Sequence, residues 1–146
     1  MQLVIGCDHA GLELKQQLFT HLSDSGHSVE DLGTYDGASI DYPDYAERVA
    51  RAVAAGDAEL GLLVCGSGQG MCMAANKIHG VRAAVCSDTF SAHAVREHND
   101  ANVLCLGQRV VGVGLAQEIV DTFLKAEFEG GRHSRRVGKI MALEER

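Results

Sequence analysis

A cysteine stands where an apolar run breaks into alternating glycines, in Leu62-Leu63-Val64-Cys65-Gly66-Ser67-Gly68-Gln69-Gly70. Glycine at positions 66, 68 and 70 lets the backbone turn sharply and aim successive N–H groups inward, which makes a cradle for an anion or a developing oxyanion. Met71 to Lys77 reads as a helix, and a helix starting in the loop adds its positive end to that field, which is expected to lower the pKa of the Cys65 thiol. Ser67 can exchange a hydrogen bond with the thiol or with a substrate oxygen. The competing account is a tight strand-to-helix turn with a buried, inert cysteine, and the loop alone does not separate the two.

Other residues tip the balance. Asp8-His9 precedes Gly11, and a carboxylate beside an imidazole can hold a hydroxyl and a phosphate; the rival account is a helix-capping aspartate with an exposed histidine. His98-Asn99-Asp100 supplies a group that titrates near neutrality beside an amide, although polar residues also simply end helices. Arg109, with Arg132, His133, Arg135 and Arg136 further on, gives an otherwise acidic chain a local positive cluster, and arginine forks bind phosphate oxygens in bidentate fashion. A solvated basic helix is the default for such a run, and proximity to a turn rich in N–H donors would overrule it.

The elements that must position these groups alternate. Apolar runs at Leu3 to Gly6, His27 to Leu32, Leu60 to Cys65, Val81 to Cys86 and Val103 to Leu106 are interleaved with helical stretches. Those stretches cover Gly11 to Ser25, Tyr42 to Ala55, Gly70 to Ile78, Thr89 to His98 and Gly112 to Phe128, with Pro43 in the first turn of the second. Short strands with little polar alternation are covered on both faces, as in a parallel sheet. In the first helix Leu12, Leu14, Leu18, Phe19 and Leu22 form the face that packs on it. The expectation is an α/β fold, a Rossmann-like three-layer αβα sandwich on a five-stranded parallel sheet, in one domain spanning residues 1–146. Ligands in such folds bind beyond the carboxyl ends of the strands, and Asp8, Cys65 and Arg109 all follow strands. A short basic helix from Arg132 to about Glu144 has no strand to cover and is expected to reach a partner subunit.

Composition narrows the function classes. Thirteen basic against 20 acidic residues leave a net charge of −7, which argues against nucleic acid or an anionic membrane as partner. No run approaches the ~18 apolar residues of a membrane span, and Met1 leads straight into a strand with no signal-peptide pattern, so a cytoplasmic location is expected. The five cysteines, at 7, 65, 72, 86 and 105, show no zinc-ligand spacing. Free thiols suit a reducing compartment, with four of them expected as small apolar residues.

Seven motifs in order, Gly6-Cys7-Asp8-His9-Ala10-Gly11, Asp41-Tyr42-Pro43, Cys65 to Gly70, Ala74-Ala75-Asn76-Lys77, His98-Asn99-Asp100, Gly107-Gln108-Arg109-Val110 and Glu129-Gly130-Gly131-Arg132-His133, closely resemble the type B ribose-5-phosphate isomerases over essentially the whole chain. That family also includes isomerases of allose 6-phosphate and galactose 6-phosphate. The resemblance implies that Cys65 moves a proton between C1 and C2 through a cis-enediolate, assisted by Ser67, with the backbone of Gly66 to Gly70, including Gly68, stabilising the enediolate oxygen. It further implies that Asp8 and Tyr42 contact the sugar, that His98 opens the furanose ring with Asn99 beside it, and that His9, Arg109, Arg132 and Arg136 hold the phosphate. His133 could share or replace the role of His98. Some of these residues would come from the second subunit of a homodimer, or dimer of dimers, with shared sites. Some members carry a glutamate base one residue after the loop; Met71 stands there, so the cysteine variant applies. No cofactor or metal is implied, since proton abstraction next to a carbonyl needs only a base and preorganised oxyanion donors.

Two rival readings are weaker. A cysteine phosphatase with a C-x5-R loop needs arginine where Met71 stands. A nucleotide-binding Rossmann-like module needs the glycine loop after the first strand with G-x-G-x-x-G spacing, and here it follows the third without that spacing.

Overall fold

The longest apolar runs become the central strands. In the structure, a computed structural model that describes residues 1–145, β1 (Gln2–Cys7), β3 (Leu60–Cys65) and β5 (Val103–Gly107) are buried along almost their whole length. The shorter β2 (Ser28–Asp31) and β4 (Ala83–Val85) flank them, and the sheet runs β2-β1-β3-β5-β4 with every neighbouring pair parallel. Between the strands lie α1 (Leu12–Asp24), α2 (Tyr42–Ala55), α3 (Gln69–Ala75) and α4 (Thr89–Asn99), followed by α5 (Val113–Lys125) and α6 (Arg132–Met141).

Strand side chains alternate between two cores. Leu3, Ile5, Leu60, Leu62, Val64, Leu104 and Leu106 pack with Leu14, Leu18 and Leu22 of α1, Ala92 of α4 and Ile119, Val120 and Phe123 of α5. On the other face Val4, Leu63, Cys65, Val103 and Cys105 pack with Ala46, Val49 and Val53 of α2 and Met71 and Ala75 of α3. This is the αβα layering expected from the sequence. The chain passes from β1 out to β2 and returns to β3 on the opposite side of β1, so the order in which strands are added reverses between β1 and β3. A crevice opens there, beyond the strands' carboxyl ends.

Several boundaries differ from expectation because side chains intervene. α3 stops at Ala75 instead of Ile78, since Asn76 grips both backbone groups of Ala83, with Nδ2 donating to its carbonyl at 2.9 Å and Oδ1 accepting from its N–H at 2.8 Å. Strand β4 starts late because the Arg82 N–H donates to Asn102 Oδ1 at 2.7 Å. α5 gives way at Ala126 to extended backbone, and the chain returns to α4, where the Glu129 N–H donates to the Glu97 carbonyl at 3.0 Å. Finally, α6 buries only His133 and Val137, packs against α4 and leaves its remaining basic surface exposed.

One charge lies where the apolar spacing of α1 foretold only a leucine face. Lys15 is 1% exposed, with Nζ 2.7 Å from Asp31 Oδ2 and 2.6 Å from the Thr34 carbonyl. It ties α1 to the segment after β2, whose Gly33 carbonyl accepts from the Cys7 N–H at the end of β1. Its place three residues before Leu18 was the available signal.

Candidate active site

Cys65 closes β3 with its side chain on the α2–α3 face, 5% exposed. The chain then turns through Gly66-Ser67-Gly68, where Gly68 takes φ +81°, a left-handed conformation open to glycine. That turn swings the Gly68 N–H back onto Cys65 Sγ at 3.0 Å, which fixes the sulfur beneath the loop. Ser67 Oγ accepts from the Gln69 N–H at 3.2 Å and is thereby fixed at the rim. The loop can lie this low only because β5 ends in Gly107: a Cβ there would sit 2.7 Å from the Ser67 carbonyl carbon.

A cavity of about 550 Å³ opens over the thiol, lined by Asp8, His9, Ala10, Tyr42, Cys65, Gly66, Ser67, Gly70, Arg109 and Val110. Asp8 leaves β1 and caps the turn at His9–Gly11, its Oδ1 accepting from the Ala10 N–H at 2.9 Å and the Gly11 N–H at 3.1 Å. Both bonds fall on one oxygen, so the carboxylate keeps the other for a ligand. His9 Nδ1 accepts from the Ile40 N–H at 3.3 Å, which leaves Nε2 as the ring nitrogen available to a ligand. Tyr42 opens α2 with its ring over Gly70, where an added Cβ would approach the ring carbons to 2.6 Å. Arg109 follows β5, bonds the Gly66 carbonyl through its N–H at 3.1 Å, and lays its guanidinium alongside Gly66.

The structure therefore brings together Asp8, His9, Tyr42, Cys65, Gly66, Ser67, Gly70 and Arg109, with Gly68 shaping the loop beneath. His98, Asn99, Arg132 and Arg136 do not line this cavity. His98 and Asn99 end α4, and the Asn99 carbonyl accepts from Arg82 Nε at 3.2 Å, just ahead of β4. They thus lie at the amino edge of the sheet, roughly 16 Å from its carboxyl edge for the five residues of β5. There His98 stacks on His133 with ring centroids 4.5 Å apart, and Arg132 and Arg136 are exposed on the same α6 that carries His133.

The remaining thiols sort by environment. Burial pushes Cys7 and Cys86 up to about 11 and Cys105 well above the usual thiol range, as expected of apolar fillers. Cys72 departs from that expectation: a hydrogen bond from the Cys105 thiol, opposed by burial and aided by Asn76 Nδ2, lowers it to about 7. Iodoacetamide alkylation mapped by mass spectrometry should accordingly modify Cys72 with a midpoint near pH 7, the rate rising with pH as thiolate forms, while Cys7, Cys86 and Cys105 resist in the folded protein. Equal rates at all four would contradict this environment.

A model of the Ribose/Galactose Isomerase family matches residues 3–140, a span that includes the cavity, the histidine stack and all but the last residue of α6. The chain belongs to that family. Ribose-5-phosphate isomerase B of Escherichia coli (strain K12) is 50% identical over 145 residues, covering 99% of this chain and 97% of that protein. Among solved structures, Clostridium thermocellum ribose-5-phosphate isomerase B superposes with a TM-score of 0.98 at 52% identity, covering 99% of this chain and 98% of that one. Ribose-5-phosphate isomerase B from Mycoplasma genitalium, solved with bound ribulose-5-phosphate, gives a TM-score of 0.93 at 48% identity, with 98% and 95% covered. Membership in this family displaces the phosphatase and nucleotide-module readings, and Met71, 0% exposed in the core, leaves the phosphatase arginine no place. No described helix is long and apolar enough to cross a membrane.

Proposed function

We propose that this chain interconverts ribose 5-phosphate and ribulose 5-phosphate, with Cys65 as the base. The observation that carries the reading is the Cys65 sulfur at the floor of the cavity, held at 3.0 Å by the Gly68 N–H. The thiolate takes the proton from C2 of the open-chain aldose, the C–H electron pair becomes the C1–C2 double bond, and charge settles on O1. Return of that proton to C1, with transfer of the O2 proton to O1, completes the ketose. Gly68 and Gln69 already direct their N–H groups at Cys65 and Ser67, so the amides of Gly66, Ser67 and Gly70 are the donors for the enediolate oxygen. Asp8 and Tyr42 hold sugar hydroxyls, and His9 and Arg109 begin the phosphate site.

The second half of the machinery comes from another copy of the chain. His98 as ring opener, Asn99 beside it, and Arg132 and Arg136 as further phosphate ligands lie a strand's length from the thiol within one chain, and a homodimer that places the α4–α6 edge of one subunit over the cavity of the other completes the site. A dimer of dimers is compatible with the same pairing. The reading includes a cytoplasmic location, in keeping with five free thiols. The test is a coupled assay that offers ribose 5-phosphate, allose 6-phosphate and galactose 6-phosphate in parallel. The expected outcome is a kcat/KM for the pentose at least about tenfold above either hexose, the discrimination that one or two sugar contacts supply. A hexose turned over faster would move the assignment within the family, and no turnover of any of them would end it.

A further inference from the structure

We propose that His98, Glu129 and His133 form a site for a single divalent transition cation of the zinc class. The three come from separate places in the chain: the end of α4, the segment after α5, and the first turn of α6. Folding gathers one ligand atom from each to within 4.8 Å of one another. A tetrahedral zinc with bonds of about 2.0–2.2 Å needs ligand atoms about 3.4 Å apart, so modest side-chain rotations close the set. Two imidazoles and one carboxylate are the donors that such a cation prefers over magnesium or calcium, which take oxygen alone.

Independent features mark the cluster as built. The His133 side chain is 7% exposed, yet its Nε2 has no hydrogen-bond partner among the described residues; it lies 3.1 Å from Glu129 Oε2 without the geometry of a hydrogen bond. A buried polar nitrogen left this way costs stability unless something else satisfies it. The backbone around it is fixed: the Glu129 N–H is bonded to the Glu97 carbonyl, and Gly130 and Gly131, at φ +70° and +56°, turn the chain so that the His133 N–H reaches the Gly130 carbonyl at 3.0 Å. Glu97 stands behind His98, with Oε2 3.2 Å from its Nε2, and adds negative charge to the surroundings of a bound cation. Within the single chain the side chains of His98 and Glu129 are 42% and 57% exposed, and in the proposed dimer they face the shared cavity, through which a cation enters as the substrate does. Bound metal would occupy the lone pair that His98 needs for ring opening, so the site would inhibit the isomerase; that consequence, unlike the binding itself, rests on the proposed function.

Cobalt(II) titration of the full-length protein reads the binding directly. The expected result is one equivalent per chain with the intense visible d–d absorption of tetrahedral cobalt, and Glu129→Gln, at an exposed position that leaves the metal-free rate unchanged, weakening that binding at least about tenfold. No saturable d–d signal, near-ultraviolet thiolate-to-cobalt bands in its place, or equal affinity in the variant would overturn the site. Zinc should also inhibit the wild type, with the inhibition displaced at least about tenfold upward in Glu129→Gln. If cobalt binding is lost in the variant but zinc inhibition does not shift, the metal site stands and the role given to His98 falls.

Discussion

Cys65→Ala leaves a folded protein that no longer isomerises ribose 5-phosphate. The side chain is small and sits under the glycine loop, so truncation costs on the order of 1 kcal/mol or less, from the loss of one buried atom. The catalytic cost is of another size, because a positioned base contributes roughly 100- to 10,000-fold and no other thiol is placed to replace it. Cys72, though the more acidic of the remaining cysteines, lies among Cys105, Asn76 and the Ala83 carbonyl and does not line the cavity. Cys72→Ala is therefore the control and keeps activity near wild type. Steady-state kinetics on both variants, with circular dichroism to confirm folding, make the comparison, and full activity in Cys65→Ala would remove the thiol from the mechanism.

Mixing two dead variants should restore activity. If the thiol and the ring-opening histidine act together only across a subunit boundary, Cys65→Ala and His98→Asn homodimers are both inactive. The mixed dimer holds one site with both residues intact. Random re-pairing after denaturation and refolding makes half of the dimers mixed, each with one working site of two, so about a quarter of wild-type activity returns. If the re-paired mixture stays silent while native mass spectrometry shows that mixed dimers formed, the shared site is wrong, because Cys65 and His98 would then serve within one chain. The prediction follows from their positions at opposite edges of the sheet.

The layering was legible because it rests on short-range pattern. Leu60 to Cys65 and Val103 to Leu106 are too continuously apolar to leave a face in water, and the cysteine-glycine loop announces itself by adjacent residue types. Asp8 and Arg109 were legible for a related reason, since each directly follows a strand and the carboxyl-edge rule then places it. What sequence could not show depends on tertiary contacts. Lys15 sits in the leucine face of α1 because Asp31 and the Thr34 carbonyl surround its ammonium, and no local pattern encodes partners 16 and 19 residues away. His98 and His133 carry no metal-ligand spacing; only the return of the chain from α5 to α4 stacks them and brings Glu129 alongside. The ends of α3 and β4 were misjudged for the same kind of reason, as Asn76 and Asn102 divert backbone hydrogen bonds that periodicity assigns to regular elements.

The outermost strands, four and three residues long, also restrict how copies of the chain can associate. So little unpaired backbone gives an incoming strand almost nothing to zip onto, which protects a parallel sheet from runaway edge-to-edge growth. Any docking between copies would thereby fall to helical surfaces, whose side chains impose a definite stoichiometry where a ribbon would impose none.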